Sequence, residues 1–303
     1  MKRQEKSSTS RTFTAIAITR RSDTLSTPRN SKDAPDMPAL RATIGYSERT
    51  EKRPYFYANA HEKDFVPLAP QEVEIHDARG LGCSLDVEGF QLVEHRSNVA
   101  DLTDLAEVAR VHADEMRAVF LAQTGADHVD VFSRGILRFS ERLGQNDAHD
   151  NSHPARFVHV DMSISAAEAA RAKGAPEGKA IARSAQYNAW RVLSDPPQDV
   201  PLALCAYNSL SLDDLITCDA IFDPPGGAPE WSFENYLLEH KPAHRWYYYS
   251  NMHVGEVLLF KTSESDHARA RLMPHGAFDN PLAGPDAPAR ISLEMRGTCY
   301  WFA

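Results

Sequence analysis

One short segment of the chain combines residue types that bind metal ions. The run Arg156-Phe-Val-His-Val-Asp-Met-Ser163 is predicted to be a strand, in which side chains alternate with period two, so His159 and Asp161 share a face. One imidazole and one carboxylate supply two of the three ligands of a two-histidine, one-carboxylate facial triad. Such a triad leaves three neighbouring positions of iron(II) open. The His-x-Asp pattern alone is weak evidence for a metal site, because a histidine at a strand end is usually hydrogen-bonded to a neighbouring residue.

A third ligand is predicted downstream, at His275. The apolar strand Glu256–Phe260 follows a glycine turn and precedes a polar loop and the run Met-Pro-His275-Gly-Ala-Phe. A metal-binding residue that follows a buried strand and a turn in the chain is typical of a double-stranded β-helix, or jelly roll. The rival is His253, which precedes the apolar strand and is expected to be exposed, as are His240 and His244 beside a charged turn. Six further histidines are expected at the surface or in loops: His61, His76, His95, His112, His128 and His149.

A pair suited to a carboxylate follows His275. Arg290 lies fifteen residues beyond it and shares a strand face with Ser292. A guanidinium forms a charge-assisted, often bidentate pair with a carboxylate, and the serine adds a donor. Arg296 is the rival anchor, but the interval from His275 and the partner Ser292 favour Arg290. The order of these residues predicts a metal site with a carboxylate-bearing ligand beside it.

Short strands are predicted to position these residues. Beyond residue 150 the strand candidates are Ala155–Val160, Ala185–Leu193, Leu202–Tyr207, Arg245–Ser250, Glu256–Lys261 and Arg290–Thr298. One helix, Ser165–Lys173, interrupts them and has Ser163 or Ser165 as its cap. Upstream, the pattern predicts strands at Ala42–Tyr46, Glu72–Asp77, Phe90–Val99 and Ala126–Ser133, a turn at Arg53–Tyr57 and a helix over Leu102–Gln123 that Thr124-Gly125 ends.

This succession of short strands with few helices predicts a mainly β (α+β) protein with a jelly-roll core, flanking helices and an N-terminal subdomain. Residues 1–38 are expected to be a disordered basic tail. Residues 39–303 are expected to be a single catalytic jelly-roll domain, with a support region over 39–150 and the core over 151–303.

Charge and composition exclude several classes of protein. The net charge of −9 divides into +6 over residues 1–32 and −15 over the remainder, and an acidic body does not attract phosphates, so nucleic acid is not an expected partner. No apolar run approaches the roughly 18–20 residues that span a bilayer. The four cysteines, Cys83, Cys205, Cys218 and Cys299, form no C-x-x-C pair, which suits a reducing cytoplasm. Cys205 is predicted to be a buried thiol.

A family resemblance adds to these observations. His-Val-Asp-x-Ser, Asn188-x-Trp190-Arg191, Pro-Leu-Ala-Leu-Cys, Trp-Tyr-Tyr-Tyr, Glu-Val-Leu-Leu-Phe-Lys and Pro-His-x-x-Phe-Asp resemble the CmcJ/AsaB-like hydroxylase/desaturase family of iron(II)/2-oxoglutarate dioxygenases. The resemblance covers roughly residues 40–303. It implies Fe(II) on His159, Asp161 and His275, 2-oxoglutarate and O2 as co-substrates, and a small-molecule substrate of specialised metabolism. The Arg-x-Ser pattern of the wider superfamily implies that Arg290 and Ser292 bind the distal carboxylate of 2-oxoglutarate.

Other assignments stay open at the level of sequence. Asn188 and Arg191 lie on opposite faces of a predicted strand, and each either contacts 2-oxoglutarate or a carboxylate-bearing substrate or has a structural role. Ala206 stands where an acidic residue is expected in such relatives. Two other functions remain: a cupin-like metalloenzyme independent of 2-oxoglutarate, and a non-catalytic β-sandwich binding module. A homodimer is also left open.

Overall fold

Strands dominate the part of the chain that the computed structural model describes, which is residues 39–144, 153–224, 226 and 228–303. The predicted tail over residues 1–38 and His149 lie outside these ranges. The strands are β1 (Ala39–Ile44), β2 (Tyr55–Tyr57), β3 (Gln71–Asp77), β4 (Phe90–Glu94), β5 (His128–Phe139), β6 (His159–Val160), β7 (Ile181–Val192), β8 (Leu202–Cys205), β9 (Leu215–Phe222), β10 (Trp231–Leu238), β11 (Trp246–Tyr248), β12 (Glu256–Glu264), β13 (His275–Ala277) and β14 (Ile291–Phe302). The helices are α1 (Leu105–Glu107), a π-helical segment (Val108–His112), α2 (Ala113–Thr124) and α3 (Ile164–Lys173).

Within the described ranges these strands form two sheets. The first has the order β1-β3-β11-β8-β13-β6-β10-β9-β2, and the second has the order β4-β12-β7-β14-β5. From β5 to β8 the chain changes sheet at every strand, and it does so again from β11 to β14. This alternation is the double-stranded β-helix, so the predicted jelly-roll fold is confirmed.

Three apolar clusters hold these layers together. Trp190, Leu258 and Phe260 of the second sheet meet Leu204 of the first sheet between the two sheets. The outer face of the second sheet packs against the helical segment, chiefly through Phe120. A further cluster, which includes the predicted buried thiol Cys205, lies on strands of the first sheet. Burial of apolar area on both faces of each sheet is the main force that fixes the strand positions.

The helix predicted over Leu102–Gln123 exists, but it starts later and is not regular. Asp104 caps it by accepting hydrogen bonds from the backbone N–H groups of Ala106 and Glu107, and Gly125 ends it in the left-handed conformation with φ 67°. The π-helical segment turns His112 inward. The expectation of a surface His112 was wrong: its side chain is buried and hydrogen-bonds Glu115 at 2.7 Å. His244, also expected to be exposed, is buried against Asp214.

The sequence pattern did not predict strands β9 and β10, and it predicted a turn for the segment that forms β2. β9 and β10 form an antiparallel hairpin, and β2, in the segment predicted as a turn, pairs in parallel with β9. Their alternation of apolar and polar residues, as in Ile216-Thr-Cys-Asp-Ala-Ile-Phe222, is the pattern of a half-buried strand and would have revealed β9. These three strands extend the first sheet past β6, which carries His159.

No helix in the described ranges is both long and apolar enough to cross a membrane.

Candidate metal centre

Two strands that are far apart in sequence, β6 and β13, meet where the predicted ligands lie. His159 is on β6, Asp161 follows directly, and β13 pairs with β6 through His275 opposite His159. Nε2 of His159 lies 3.6 Å from Oδ1 of Asp161, and Nε2 of His275 lies 3.8 Å from the same oxygen. One ligand atom from each residue falls within 4.8 Å of the others. This spacing suits a single ion bound by all three side chains.

Hydrogen bonds orient both imidazoles for coordination. Nδ1 of His159 bonds the carbonyl oxygen of Phe157 at 3.2 Å, and Nδ1 of His275 bonds the carbonyl oxygen of Met273 at 2.9 Å. A carbonyl can only accept, so each Nδ1 carries a proton and each Nε2 is the ring nitrogen that faces the cluster. The chain thus orients the Nε2 atoms of both imidazoles towards Asp161.

The carboxylate of Asp161 is also oriented and kept charged. Nδ2 of Asn188 donates to Oδ2 of Asp161 at 2.7 Å, which leaves Oδ1 facing the histidines. Burial alone would raise the pKa of Asp161, but Arg296, His275, His159 and the bond from Asn188 lower it below its usual range. Burial, together with the nearby His275, lowers the pKa of His159 to about 3. At neutral pH the set is therefore one anion and an unprotonated imidazole at His159, which are the protonation states that bind a metal.

The rival ligand lies elsewhere. His253 is 54% exposed and belongs to a second acidic group with Glu94 and Glu256. Glu256 already forms two hydrogen bonds with Arg79, at 2.7 and 2.8 Å. Its charge is compensated without an ion, so this group has less reason to bind a cation than the cluster around Asp161.

The predicted carboxylate anchor is buried and incompletely bonded. Nη1 of Arg290 donates to the carbonyl oxygen of Val200 at 2.8 Å, but Nε of Arg290 and Oγ of Ser292 are buried without a hydrogen-bond partner in the described ranges. Burial and the positive charges of Arg138 and Arg156 lower the pKa of Arg290 to about 9. An anion here would relieve the repulsion among these cations and satisfy the two unbonded atoms. The residues therefore fit a carboxylate of 2-oxoglutarate.

The rival anchor, Arg296, has its charge compensated already. Its Nε donates to Glu294 at 2.8 Å, and its Nη2 lies 3.6 Å from Oδ1 of Asp161. Burial alone would lower the pKa of Arg296, but Asp161 and Glu294 raise it above its ordinary value. Arg296 thus supports the ionised state of the candidate ligand Asp161 and has less capacity for a second anion.

Of the two open assignments, the structure brings Asn188 to the cluster and leaves Arg191 outside it. Arg191 lies on the other face of β7, where its guanidinium donates to Nδ1 of His95 at 2.7 Å and to the carbonyl oxygen of Val254 at 3.1 Å. Because side chains alternate along a strand, a contact with Asp161 from position 188 excludes one from position 191.

A cavity of about 350 Å³ opens beside His159 and Asp161 and contains residues that the sequence pattern had not singled out. Arg138 of β5 and Asn235 of β10 line it, together with aromatic side chains of β2, β9 and β10. Asn235 reaches the cavity through the pairing of β10 with β6, and Arg138 reaches it from the other sheet, so a motif search along the chain had no local pattern to find them.

The comparisons with known proteins agree with this geometry. A family model described as "Oxidoreductase/YMDC permease-like domain" matches residues 44–300. The hydroxylase/desaturase efuI of Hormonema carpetanum is 32% identical over 253 residues, which cover 76% of this chain and 84% of that protein. The Fe(II)/2-oxoglutarate-dependent dioxygenase nvfI of Aspergillus novofumigatus is 29% identical over 244 residues, covering 75% and 82%. A solved structure of the iron and alpha-ketoglutarate-dependent endoperoxidase NvfI shares the fold, with a TM-score of 0.72 and 23% identity over 89% of this chain and 100% of that one.

A jelly roll with two histidines and one carboxylate at its centre defines a class of metal-dependent oxygenases. The chain belongs to the oxidoreductase family of that model and to the hydroxylase/desaturase family of iron(II)/2-oxoglutarate-dependent dioxygenases. The predicted family is confirmed. The two other functions, a cupin-like metalloenzyme and a β-sandwich binding module, have no support among these relatives.

Proposed function

We propose that this chain binds iron(II) through His159, Asp161 and His275 and hydroxylates or desaturates a small molecule of specialised metabolism, with 2-oxoglutarate and dioxygen as co-substrates. The observation that carries the proposal is the cluster itself, with both Nδ1 atoms engaged by carbonyl oxygens and both Nε2 atoms turned towards Asp161. Bound iron would supply the oxidation of a C–H bond at the expense of 2-oxoglutarate and dioxygen.

The protein's own part is to bind and to orient. Asn188 holds Oδ2 of Asp161, so Oδ1 stays available to the metal. Arg290 and Ser292 offer a cation and a hydroxyl to the distal carboxylate of 2-oxoglutarate, while Arg296 keeps Asp161 ionised. The jelly roll around the cluster limits the access of water, which strengthens each of these electrostatic contacts.

The metal assignment has a direct test. His159→Ala, Asp161→Ala and His275→Ala should each abolish stoichiometric iron binding and turnover, and Asp161→Glu should lose most of both, because the added methylene displaces the carboxylate. Iron content after loading under nitrogen is the measurement, and 2-oxoglutarate decarboxylation is the second one. His253→Ala is the matched control and should bind iron like the parent chain. Full iron content in any of the three alanine variants would remove that residue from the ligand set.

We also propose a cytoplasmic location, which the free state of all four cysteines supports. The homodimer stays a prediction, and sedimentation of the purified chain tests it.

A further inference from the structure

The cavity beside the metal cluster has a wall of aromatic rings. Phe157 lies with its ring 5.7 Å from that of His159 and 5.0 Å from that of Phe56. Farther out, the ring of Phe222 stacks on Phe233 at 5.4 Å and on Trp231 at 4.2 Å, and Trp231 is 54% exposed. Aromatic side chains thus line the cavity from the proposed ligand His159 outwards. Aromatic side chains favour offset or edge contacts with other rings, and a volume of about 350 Å³ is large enough for a small organic ligand.

Polar side chains, among them Arg138, Glu141 and Arg156, also line this cavity, and Asn235 is the one whose amide lies beside the aromatic rings and close to the cluster. Asn235 lines the cavity, is only 1% exposed, and its Oδ1 has no hydrogen-bond partner in the described ranges. The next residue, Tyr236, pairs with Val160 across the antiparallel ladder, so Asn235 lies level with Asp161. Buried amides are nearly always hydrogen-bonded, and an unbonded one is unfavourable. A bound ligand would therefore supply the hydrogen-bond donor that Oδ1 of Asn235 lacks.

The hydrogen-bonding groups that a ligand carries decide whether it can be this partner. The dianion of 2-oxoglutarate has acceptors and no donor, so it cannot satisfy an amide oxygen. A hydroxyl group both donates and accepts, so it pairs with the amide whichever way its oxygen and nitrogen are turned. The rings of Phe56, Phe157 and Phe233 on either side favour an apolar ring system attached to that hydroxyl.

We propose that Asn235 recognises a hydroxyl group on the substrate, and that the substrate is a largely apolar ring compound that carries this hydroxyl. The inference rests on the proposed function for the reaction, but neither Asn235 nor any of the phenylalanine residues that it invokes is among the proposed metal ligands. Asn235 would set how the ring compound lies beside the cluster, and with that which C–H bond faces it.

Matched pairs of probes test the proposal: phenol with anisole, 2-naphthol with 2-methoxynaphthalene, and 4-phenylphenol with 4-methoxybiphenyl. A methoxy group can accept a hydrogen bond but cannot donate one. Calorimetric titration under nitrogen of the iron-loaded, 2-oxoglutarate-saturated protein should show about tenfold tighter binding of at least one phenol than of its methyl ether, near the upper range for one hydrogen bond. In Asn235→Leu that preference should disappear while binding of the ether is kept. Phe233→Leu, two residues along the same strand, is the control and should weaken both members of a pair equally.

Thermal unfolding separates recognition from a structural role. Asn235→Leu removes an unbonded amide from an apolar wall, so its midpoint of unfolding should rise, whereas loss of a structural hydrogen bond would lower it. An unchanged preference in Asn235→Leu, a lowered midpoint, or no binding of any phenol to the parent chain would each overturn the proposal. Iron content in the same samples reports on the proposed function independently, and if iron is absent, the same titrations of the purified protein still decide whether the hydroxyl is recognised.

Discussion

Arg290 carries a buried positive charge that Glu141 and Asp199 offset only in part, since its pKa still lies below the ordinary value, and this makes it the most informative single residue of the proposed site. Its guanidinium has one carbonyl partner, and Arg138 and Arg156 repel it. A residue that is unfavourable in the unliganded protein but suited to an anion should contribute more to binding than to stability.

We therefore expect Arg290→Ala to weaken 2-oxoglutarate binding by about 10- to 150-fold, because a charge-assisted hydrogen bond is worth roughly 1.5–3 kcal/mol. Arg290→Lys should restore only part of the affinity, since it lacks the planar fork. Titration of 2-oxoglutarate into iron-loaded protein measures both. Arg296→Ala is the contrasting variant and should reduce iron affinity through Asp161. A large loss of 2-oxoglutarate affinity in Arg296→Ala, with none in Arg290→Ala, would reverse the two assignments.

Burial also affects the charge of His112, which is not part of the candidate metal cluster. Burial, and then the charge of Arg191, lower its folded-state pKa to about 4 from an ordinary 6.5. Between these values the unfolded chain binds a proton that the folded chain does not, so stability rises with pH across this window and is lost as the pH falls from 6.5 to 4. The full effect is about 3 kcal/mol. His112→Gln should flatten the pH dependence of the urea midpoint, whereas His128→Gln, at an exposed position of β5, should not. Equal slopes for parent and His112→Gln would contradict this.

At the scale of elements, β6 is short and takes its position from its neighbours. Val158 donates to the carbonyl oxygen of Gly45 at 2.8 Å, and Gly45 forms a parallel bridge with Phe157. A Cβ atom at Gly45 would lie 2.2 Å from the carbonyl oxygen of Arg156, which is too close for any backbone to tolerate. The chain that carries His159 can approach β1 this closely only because residue 45 is glycine.

Gly45→Ala should therefore move β6. We expect a loss of about 1–3 kcal/mol in the free energy of unfolding, as for other overpacked positions, together with weaker iron binding. Gly284→Ala is the control, because a Cβ there would meet nothing within 4 Å. Urea denaturation and iron titration measure the two effects. If Gly45→Ala unfolds at the same urea concentration as Gly284→Ala, the close approach does not determine the position of β6.

The elements that carry the site residues also explain which of those residues could be predicted from the sequence. His159 and Asp161 follow from a local rule, since period two places them on one face of any strand. His275 was found from the order of elements, because a jelly roll returns a later strand beside β6. Asn235 belongs to neither kind: its place follows from the pairing of β10 with β6, which nothing near residue 235 records. Similarly, the burial of His112 depends on a π-helical turn that helical periodicity does not predict.

At the scale of the whole molecule, the first sheet has β1 at one end, and that strand begins at Ala39. Alternate residues of β1, namely Leu40, Ala42 and Ile44, are buried in the apolar cluster that also contains Val158 and Val160, the neighbours of His159 in the chain. Tyr46, just past β1, accepts a hydrogen bond from Nε1 of Trp246 at 2.6 Å. Strand β1 and Tyr46 thus belong to the packing that surrounds the candidate metal ligands.

The division into a tail over residues 1–38 and a domain over 39–303 stays a prediction, and a pair of truncations tests it. A chain that begins at Ala39 keeps every residue of the proposed site and all of β1, so it should fold, bind iron and retain turnover within a few-fold of the full chain. A chain that begins at Ser47 loses β1 and Tyr46, exposes the apolar surface that they cover and leaves Trp246 without its partner, so it should unfold at a markedly lower temperature. Thermal unfolding and iron content of the three chains decide the matter. Loss of stability already in the chain that begins at Ala39 would make residues 1–38 part of the fold, whereas a stable chain from Ser47 would show that β1 is dispensable for holding His159 in place.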